Sequence, residues 1–456
     1  MMRRLSLLML VALLGALLAA CGQPAAQQPT AAPTEPPTAA PTEAPTQAPT
    51  EAPTAAPTAA PTAAPSPTAA PEAASGTIVD YVGEQAARLS GEIGTIKIAS
   101  QSPLSGGQAA LGTGIRNGAE LGITQANALL KDAGIQFELA PFDDQAKPEV
   151  GTANAKNIVS DADILCVVGH LNSGVALASL PDYKSASLPM VSPANTNPNI
   201  TEGGYEVAFR VVGRDDVQGT VGEQFAREEL KVKSVYIIHD TTAYGQGVAE
   251  FFRQAAEKNG LEVLGFEGTE EKSDFSAILT PILAANPDLI YFGGIYDQAG
   301  PLFRQARDRG ITAQFLGPDG LDAADLAKLA GDAVKDMHYT SVAAPVSQFP
   351  NAAKFAEDYK ATFNADAPPF SAQAYDASHF CVAAIVKAAA DAGGKPTRAQ
   401  VLEALKNLPE LTGITGAYEF NDKGDPKVAT YFVLKVVDIN DWNKNELVAR
   451  LEIPAP

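Results

Sequence analysis

The sequence predicts an α/β protein built as two doubly wound parallel-sheet lobes. From Gly94 onward, short apolar runs alternate with amphipathic stretches of helical period. That alternation argues for parallel strands separated by crossover helices. It restarts after residue 213, which divides the chain into two series, and small or polar residues cluster directly behind the apolar runs.

In the first series GTIKIAS (94–100), QFELAPFDD (136–144), DILCVVG (163–169) and LPMVSP (188–193) read as strands, with helical patterns between them. YEVAFRVVG (205–213) closes the series. The second series opens with the helical DDVQGTVGEQFAREEL and continues through the strands SVYIIHD, LEVLGFEG, DLIYFGG and AQFLGPDG. Each of these strands is separated from the next by a helical stretch.

The segments before residue 93 differ. Residues 1–21 carry Arg3 and Arg4, then an apolar stretch ending in small residues. That stretch is too short for a comfortable membrane span and reads as an export signal. Its ending LAAC resembles the lipobox of bacterial lipoproteins, which implies lipidation at Cys21 and a membrane-anchored, exported protein. Residues 22–92 follow as a tether. Pro-Thr recurs every four residues from Pro29 to Thr62, and no aromatic residue, lysine or arginine occurs between Gly22 and Gly76. Such a segment buries too little apolar surface to offset its ordering entropy, so disorder is expected.

Composition narrows the function. The chain of 456 residues has a formal net charge of −20, which repels phosphate backbones and argues against nucleic acid as a partner. Three cysteines are too few for a disulfide scaffold, and no Cys or His spacing suits a metal. No cofactor is expected. The strings G-x-S-x-G, HExxH and the P-loop are absent. GTGIRNG (112–118) and YGQGVAE (244–250) do not place a dinucleotide fingerprint directly after a strand. The chain is therefore read as a binder and not an enzyme.

Open parallel sheets bind ligands beyond the carboxyl ends of their strands. Five such ends carry small or polar clusters: SQSPLSGG (100–107), GHLNSG (169–174), SPANTN (192–197), HDTTAYGQG (239–247) and GPDG (317–320). Asn172 and Ser173 stand where a helix begins, so the hydroxyl and the first free amides can face an anion. Asp319 lies behind a strand of the second series and offers the opposite charge. Taken singly, Ser173 is a plain helix cap, Thr196 and Asp319 are turn residues, and Tyr244 is half-core. Only their joint placement argues for a site.

These strings, with VVGHLNSG, MVSPANTNPNIT, IIHDTTAYGQG, DFSAILTPI, GGIYDQAG and FLGPDG, resemble the leucine/isoleucine/valine-binding type of periplasmic solute-binding protein. The resemblance runs from about Gly94 to the C-terminus. It implies two lobes joined by a three-strand hinge, residues 93–213 with 344–424 and residues 214–343 with 425–456. The lobes close on an amino acid, which an ABC permease then accepts. It also implies that Ser173 meets the ligand carboxylate and that Ala194 and Thr196 offer a carbonyl and a hydroxyl. Tyr244 becomes an aromatic wall, and Asp319 meets the ammonium.

Two positions depart from the family pattern. Ile295, followed by Tyr296, stands where branched-chain binders tend to carry tyrosine, and Leu111 where an aromatic often covers the ligand. The clamp for the zwitterion is thus firmer than the choice of side chain, with aliphatic amino acids favoured. Amides, urea or aromatic acids, or a sensor role on the same fold, are the alternatives. His170 and Tyr375 are expected to be structural, Phe370 to approach the cleft, and Trp442 has no evident role. Cys166 and Cys381 are expected to be buried; whether they pair stays open.

Overall fold

The computed structural model describes residues 76–456. The signal segment, Cys21 and most of the expected tether lie outside the described residues. The tether's far end is corrected by the structure. Helix α1 (Ile78–Ala86) falls inside the 22–92 span, and Thr77 caps it by accepting from the Asp80 amide at 3.1 Å. Ile78 and Val82 are fully buried, enough apolar burial to order a segment that follows a proline-rich one.

The first lobe is built on β1 (Gly94–Ser102), β2 (Ile135–Asp143), β3 (Ile164–Gly169), β4 (Met190–Ser192) and β5 (Ala208–Arg210). They form one parallel sheet of order β2-β1-β3-β4-β5. The connecting helices are α2 (Ala109–Leu129), α3 (Pro148–Ser160), α4 (Ser173–Ser185) and the single turn α5 (Asn199–Glu202). β3, ILCVVG, is buried at every position, as a central parallel strand covered on both faces must be.

The chain then passes to the second lobe. There lie α6 (Asp215–Glu228), β6 (Ser234–His239), α7 (Ala243–Asn259), β7 (Glu262–Gly268), α8 (Ser276–Ala285), β8 (Leu289–Gly293), α9 (Tyr296–Asp308), β9 (Gln314–Gly317), α10 (Ala324–Ala330) and β10 (His338–Ser341). It returns to the first lobe for α11 (Ala353–Phe363), α12 (Ser371–Ala392), α13 (Arg398–Lys406) and the hairpin β11 (Leu411–Thr412) and β12 (Ala417–Tyr418). A third passage leads to β13 (Val428–Lys435) and β14 (Glu446–Pro454). The second sheet has the order β14-β13-β10-β9-β8-β6-β7.

The second sheet is parallel from β7 to β10, as expected, and carries an antiparallel ribbon at its other edge. β13 runs antiparallel to β10, and β14 antiparallel to β13. Only the short 3-10 turn Trp442–Lys444 lies between β13 and β14, and a chain returns into a parallel neighbour only through a longer crossover. The three passages between lobes, near residues 211–214, 342–345 and 425–428, are mostly irregular and not regular strands.

Both glycine strings that hinted at a dinucleotide site are packing surfaces. A Cβ at Gly118 would sit 2.0 Å from the Ser371 carbonyl oxygen, and one at Gly122 2.2 Å from Ser378 Oγ, so these glycines let α2 lie close against α12. Gly245 likewise lets α7 approach the Gly293 carbonyl. Cys166 on β3 and Cys381 on α12 form a disulfide, which settles what the sequence left open and pins the long helix to the sheet. Trp442 stacks on Tyr339 and donates from Nε1 to Asp322 Oδ1 at 2.8 Å.

Candidate functional site

The ends of β3 and β4 face the ends of β6, β8 and β9 across the cleft, and the lobes are closed. Tyr296 Oη donates to the Gly107 carbonyl at 2.7 Å, and Asn197 Nδ2 to the Ala243 carbonyl at 2.7 Å. Gln108 Nε2 donates to Asp297 Oδ1 at 3.3 Å. A small cavity of about 10 Å³ remains between the lobes, lined by Leu111, Leu171, Ala194, Tyr244, Ile295, Asp319, Gly320 and Phe370. Asp319 is the single charged side chain among these eight.

Each wall follows from local structure. α4 starts at Ser173, and by geometry its first amides have no partner inside the helix. Ser173 is buried and its Oγ accepts from the Asn197 amide at 3.4 Å. The 194–197 loop is held from beneath by Arg210, whose Nη1 donates to the carbonyls of Asn195 (2.9 Å) and Asn197 (3.0 Å). The guanidinium is itself neutralised by Asp425, with Nε donating to Oδ1 at 2.6 Å, and Arg214 adds a second ion pair to Asp425 at 3.1 Å. A wholly buried charge survives only when paired and hydrogen-bonded in this way. Thr196 is buried, and its Oγ1 has no hydrogen-bond partner among the described residues.

On the opposite wall, Tyr244 Oη donates to Asp319 Oδ1 at 3.0 Å and accepts from the Gly320 amide at 2.8 Å. The phenol thus fixes the carboxylate and the turn together. Burial pushes the Asp319 carboxyl up to about 7, although hydrogen bonding from Gln218 and Tyr244 pulls it down. Burial, then the neighbouring Asp319, raises the Tyr244 hydroxyl.

Of the nine ligand residues named from sequence, Ala194, Tyr244, Asp319, Ile295 and Leu111 line the cavity, and Ser173 lies beside Asn197. Thr196 lies in the same loop. Tyr296 does not face the cavity; its hydroxyl latches one lobe to the other. Asn172 also points away, donating from Nδ2 to Gln108 Oε1 at 2.8 Å at the cleft mouth. His170 is structural: its amide donates to Asn195 Oδ1 at 3.0 Å and its Nε2 lies 3.4 Å from Tyr183 Oη. Tyr375 packs away from the cleft, on Phe355 and His379. Phe370 does line the cavity.

The sequence reading missed a second carboxylate. Asp215, the first residue of α6, is fully buried, and neither oxygen has a hydrogen-bond partner among the described residues. Burial, then the Asp319 carboxylate, holds it well above the usual carboxylate range. Gln218, one turn on, is fully buried beside the Asp319 carboxylate. The signal was the i, i+3 pair in DDVQ, directly behind the first passage between lobes. Two buried acids, with Thr196 and Gln218 beside them, give this wall of the cleft a chemistry suited to a cation. Among the described residues, no cluster of His, Cys, Asp and Glu suits a metal ion.

The periplasmic binding protein family matches residues 95–441 of this chain. The chain belongs to that family. Within it, the chain is 33% identical over 352 residues to Leu/Ile/Val-binding protein homolog 2 of Brucella abortus, covering 77% of this chain and 91% of that protein. Among solved structures, the leucine binding protein LivK of Thermotoga maritima has a TM-score of 0.70 at 28% identity, covering 78% and 98% of the two chains. LivJ of Streptococcus pneumoniae, a branched-chain amino acid transporter substrate binding protein in complex with isoleucine, has a TM-score of 0.69 at 25% identity, covering 79% and 99%. Periplasmic binding proteins of this type work outside the cytoplasm, and these relatives are solute binders.

Proposed function

We propose that this periplasmic binding protein captures a free amino acid with an aliphatic side chain between its lobes and delivers it to an ABC permease. One observation carries the reading: Asp319, with the buried Asp215 carboxylate near it, borders a cavity whose lining includes the apolar Leu111, Leu171, Ile295 and Phe370. An ammonium satisfies the acids, and an aliphatic side chain matches the remaining wall. The start of α4 beside Ser173 supplies amides and helix dipole for the carboxylate. One charge is met on each lobe, so only a zwitterion rewards closure from both sides.

The test is a thermal-shift and calorimetric panel of leucine, isoleucine and valine, the matching amines and carboxylic acids, benzoate and acetamide. Bound ligand at a hundredfold excess over Kd stabilises by about 2.7 kcal/mol. Shifts confined to compounds carrying both α-charges support the reading. An equal response to benzoate or to an amide removes it. The same reading makes the protein a non-catalytic, exported lipoprotein anchored through Cys21, at the outer face of the cytoplasmic membrane or in the periplasm. Cys21→Ser is expected to move the protein from the membrane to the soluble fraction with unchanged ligand affinity; a membrane-bound variant argues against the anchor.

A further inference from the structure

The second passage between lobes contains a residue held from both sides. Residues 342–345 are irregular and directly follow β10. Ala344 has a φ of +52°, a left-handed conformation that a non-glycine residue keeps only when its surroundings hold it. Val342, Ala343 and Ala344 are all buried, so their backbone groups need partners within the protein.

Those partners come from the two lobes. From the second lobe, Ser341 Oγ accepts from the amides of Ala343 at 3.1 Å and Ala344 at 2.9 Å. The same hydroxyl donates to Asp322 Oδ2 at 2.9 Å, so its one proton and both lone pairs are used. Asp322 is fully buried, and its Oδ1 accepts from Trp442 Nε1 at 2.8 Å. The Tyr339 hydroxyl lies against the same carboxyl. A carboxylate accepts at both oxygens, whereas an amide in its place turns an NH2 toward one of the two donors. From the first lobe, the buried Gln373 donates from Nε2 to the Ala343 carbonyl at 3.0 Å.

Both grips lead to the ligand cleft. Asp322 closes the 3-10 turn Asp319–Leu321, its amide donating to the Asp319 carbonyl at 2.9 Å. The acid that borders the cavity and the acid that holds the passage therefore share one turn. Gln373 lies on α12, three residues behind Phe370, which lines the cavity from the other lobe. The lobes cannot separate without rotating the backbone at Ala343 or releasing one of its grips.

We propose that Ala343–Ala344 is the bending point of the hinge, and that Asp322 and Gln373 are positioning residues linking it to the two cavity walls. A ligand seated between Asp319 and Phe370 then stiffens this passage from both ends. The link is a property of the fold; its use by a ligand rests on the amino-acid reading above.

The experiment measures hydrogen exchange of the Ala343 and Ala344 amides in the full chain. Without ligand, Asp322→Asn is expected to speed exchange tenfold or more. Adding Trp442→Phe removes the competing donor, so the new amide can turn its oxygen to Ser341, and exchange should return to within threefold of wild type. A merely structural role predicts the reverse, because a second core substitution adds damage. Ser341→Ala is measured alongside as a smaller change that cuts the same link, and keeps the comparison if the carboxyl variant does not fold. Saturating leucine should slow both amides about tenfold in wild type and less than twofold in Gln373→Met. Unaltered exchange in ligand-free Asp322→Asn and Ser341→Ala overturns the proposal, as does a double variant faster than the single one. Leucine that binds by calorimetry without slowing these amides also overturns it. If leucine does not bind at all, the amino-acid reading fails, and the ligand-free comparison alone decides the link.

Discussion

If Asp319 receives the ligand's ammonium, binding must weaken in acid. Burial holds its carboxyl at about 7 in the empty, closed protein, while the ammonium and carboxylate of a free amino acid keep their charges from pH 5 to pH 8. Only the ionised form offers the ion pair. About nine-tenths of the protein is ionised at pH 8, half at pH 7 and about one-hundredth at pH 5, by the ordinary titration curve. Affinity is therefore expected to fall close to a hundredfold between pH 8 and pH 5, or about 2.7 kcal/mol at 1.36 kcal/mol per unit. The assay is isothermal calorimetry with leucine at constant ionic strength. Asp319→Asn supplies the control, because residue 319 can then no longer titrate: its affinity should depend less on pH, with Asp215 the remaining acid. At pH 8 it should be weaker by about 3–5 kcal/mol, since an ammonium is left buried without its partner. A wild-type affinity unchanged from pH 5 to pH 8 refutes the assignment of the ammonium to Asp319.

Three further outcomes are expected. The Asp215 carboxyl is raised in the folded state, so its contribution to stability is full below the unfolded carboxylate value and is lost as pH rises through the folded one. Asp215→Asn should therefore raise the melting temperature of the empty protein more at pH 8 than at pH 5, and a variant equally destabilised at both contradicts this. Tyr296→Phe removes the latch to the Gly107 carbonyl at a cost of about 0.5–1.5 kcal/mol; stopped-flow measurements should show faster ligand release with little change in the pH profile, and an unchanged release rate counts against a latch. Replacing Cys166 and Cys381 together by alanine opens a bridge between residues 215 apart in sequence. Denaturant unfolding should report a loss of about 2–5 kcal/mol with ligand affinity within severalfold, and full stability would argue that the thiols do not pair.

The fold was legible because parallel strands buried on both faces leave unbroken apolar runs such as ILCVVG, and because the polar clusters behind them mark the ligand edge. Where the reading slipped, side-chain orientation decided. Tyr296 follows Ile295 in sequence, but as the first residue of α9 it turns toward the facing lobe instead of the cavity. Asn172 and Ser173 are likewise neighbours whose side chains diverge at the start of α4. Asp215 escaped notice because an acid at a helix start usually serves the helix dipole in solvent; nothing local reveals that the lobes close over it. The β13–β14 ribbon was missed for lack of a turn signal strong enough to contradict the preceding βα alternation. The start of α1 was hidden by the low-complexity segment that runs into it.

The order of the three passages between lobes has a consequence for biogenesis. The first sheet is complete once Arg210 has been made, yet its covering helix α12 and the cysteine that joins β3 arrive some 160 residues later, after nearly all of the other lobe. A nascent chain can thus collapse its N-terminal sheet early but cannot seal it until the C-terminal third emerges. A truncation anywhere between residues 211 and 370 removes α12 and Cys381, and so leaves Cys166 and one flank of that sheet bare.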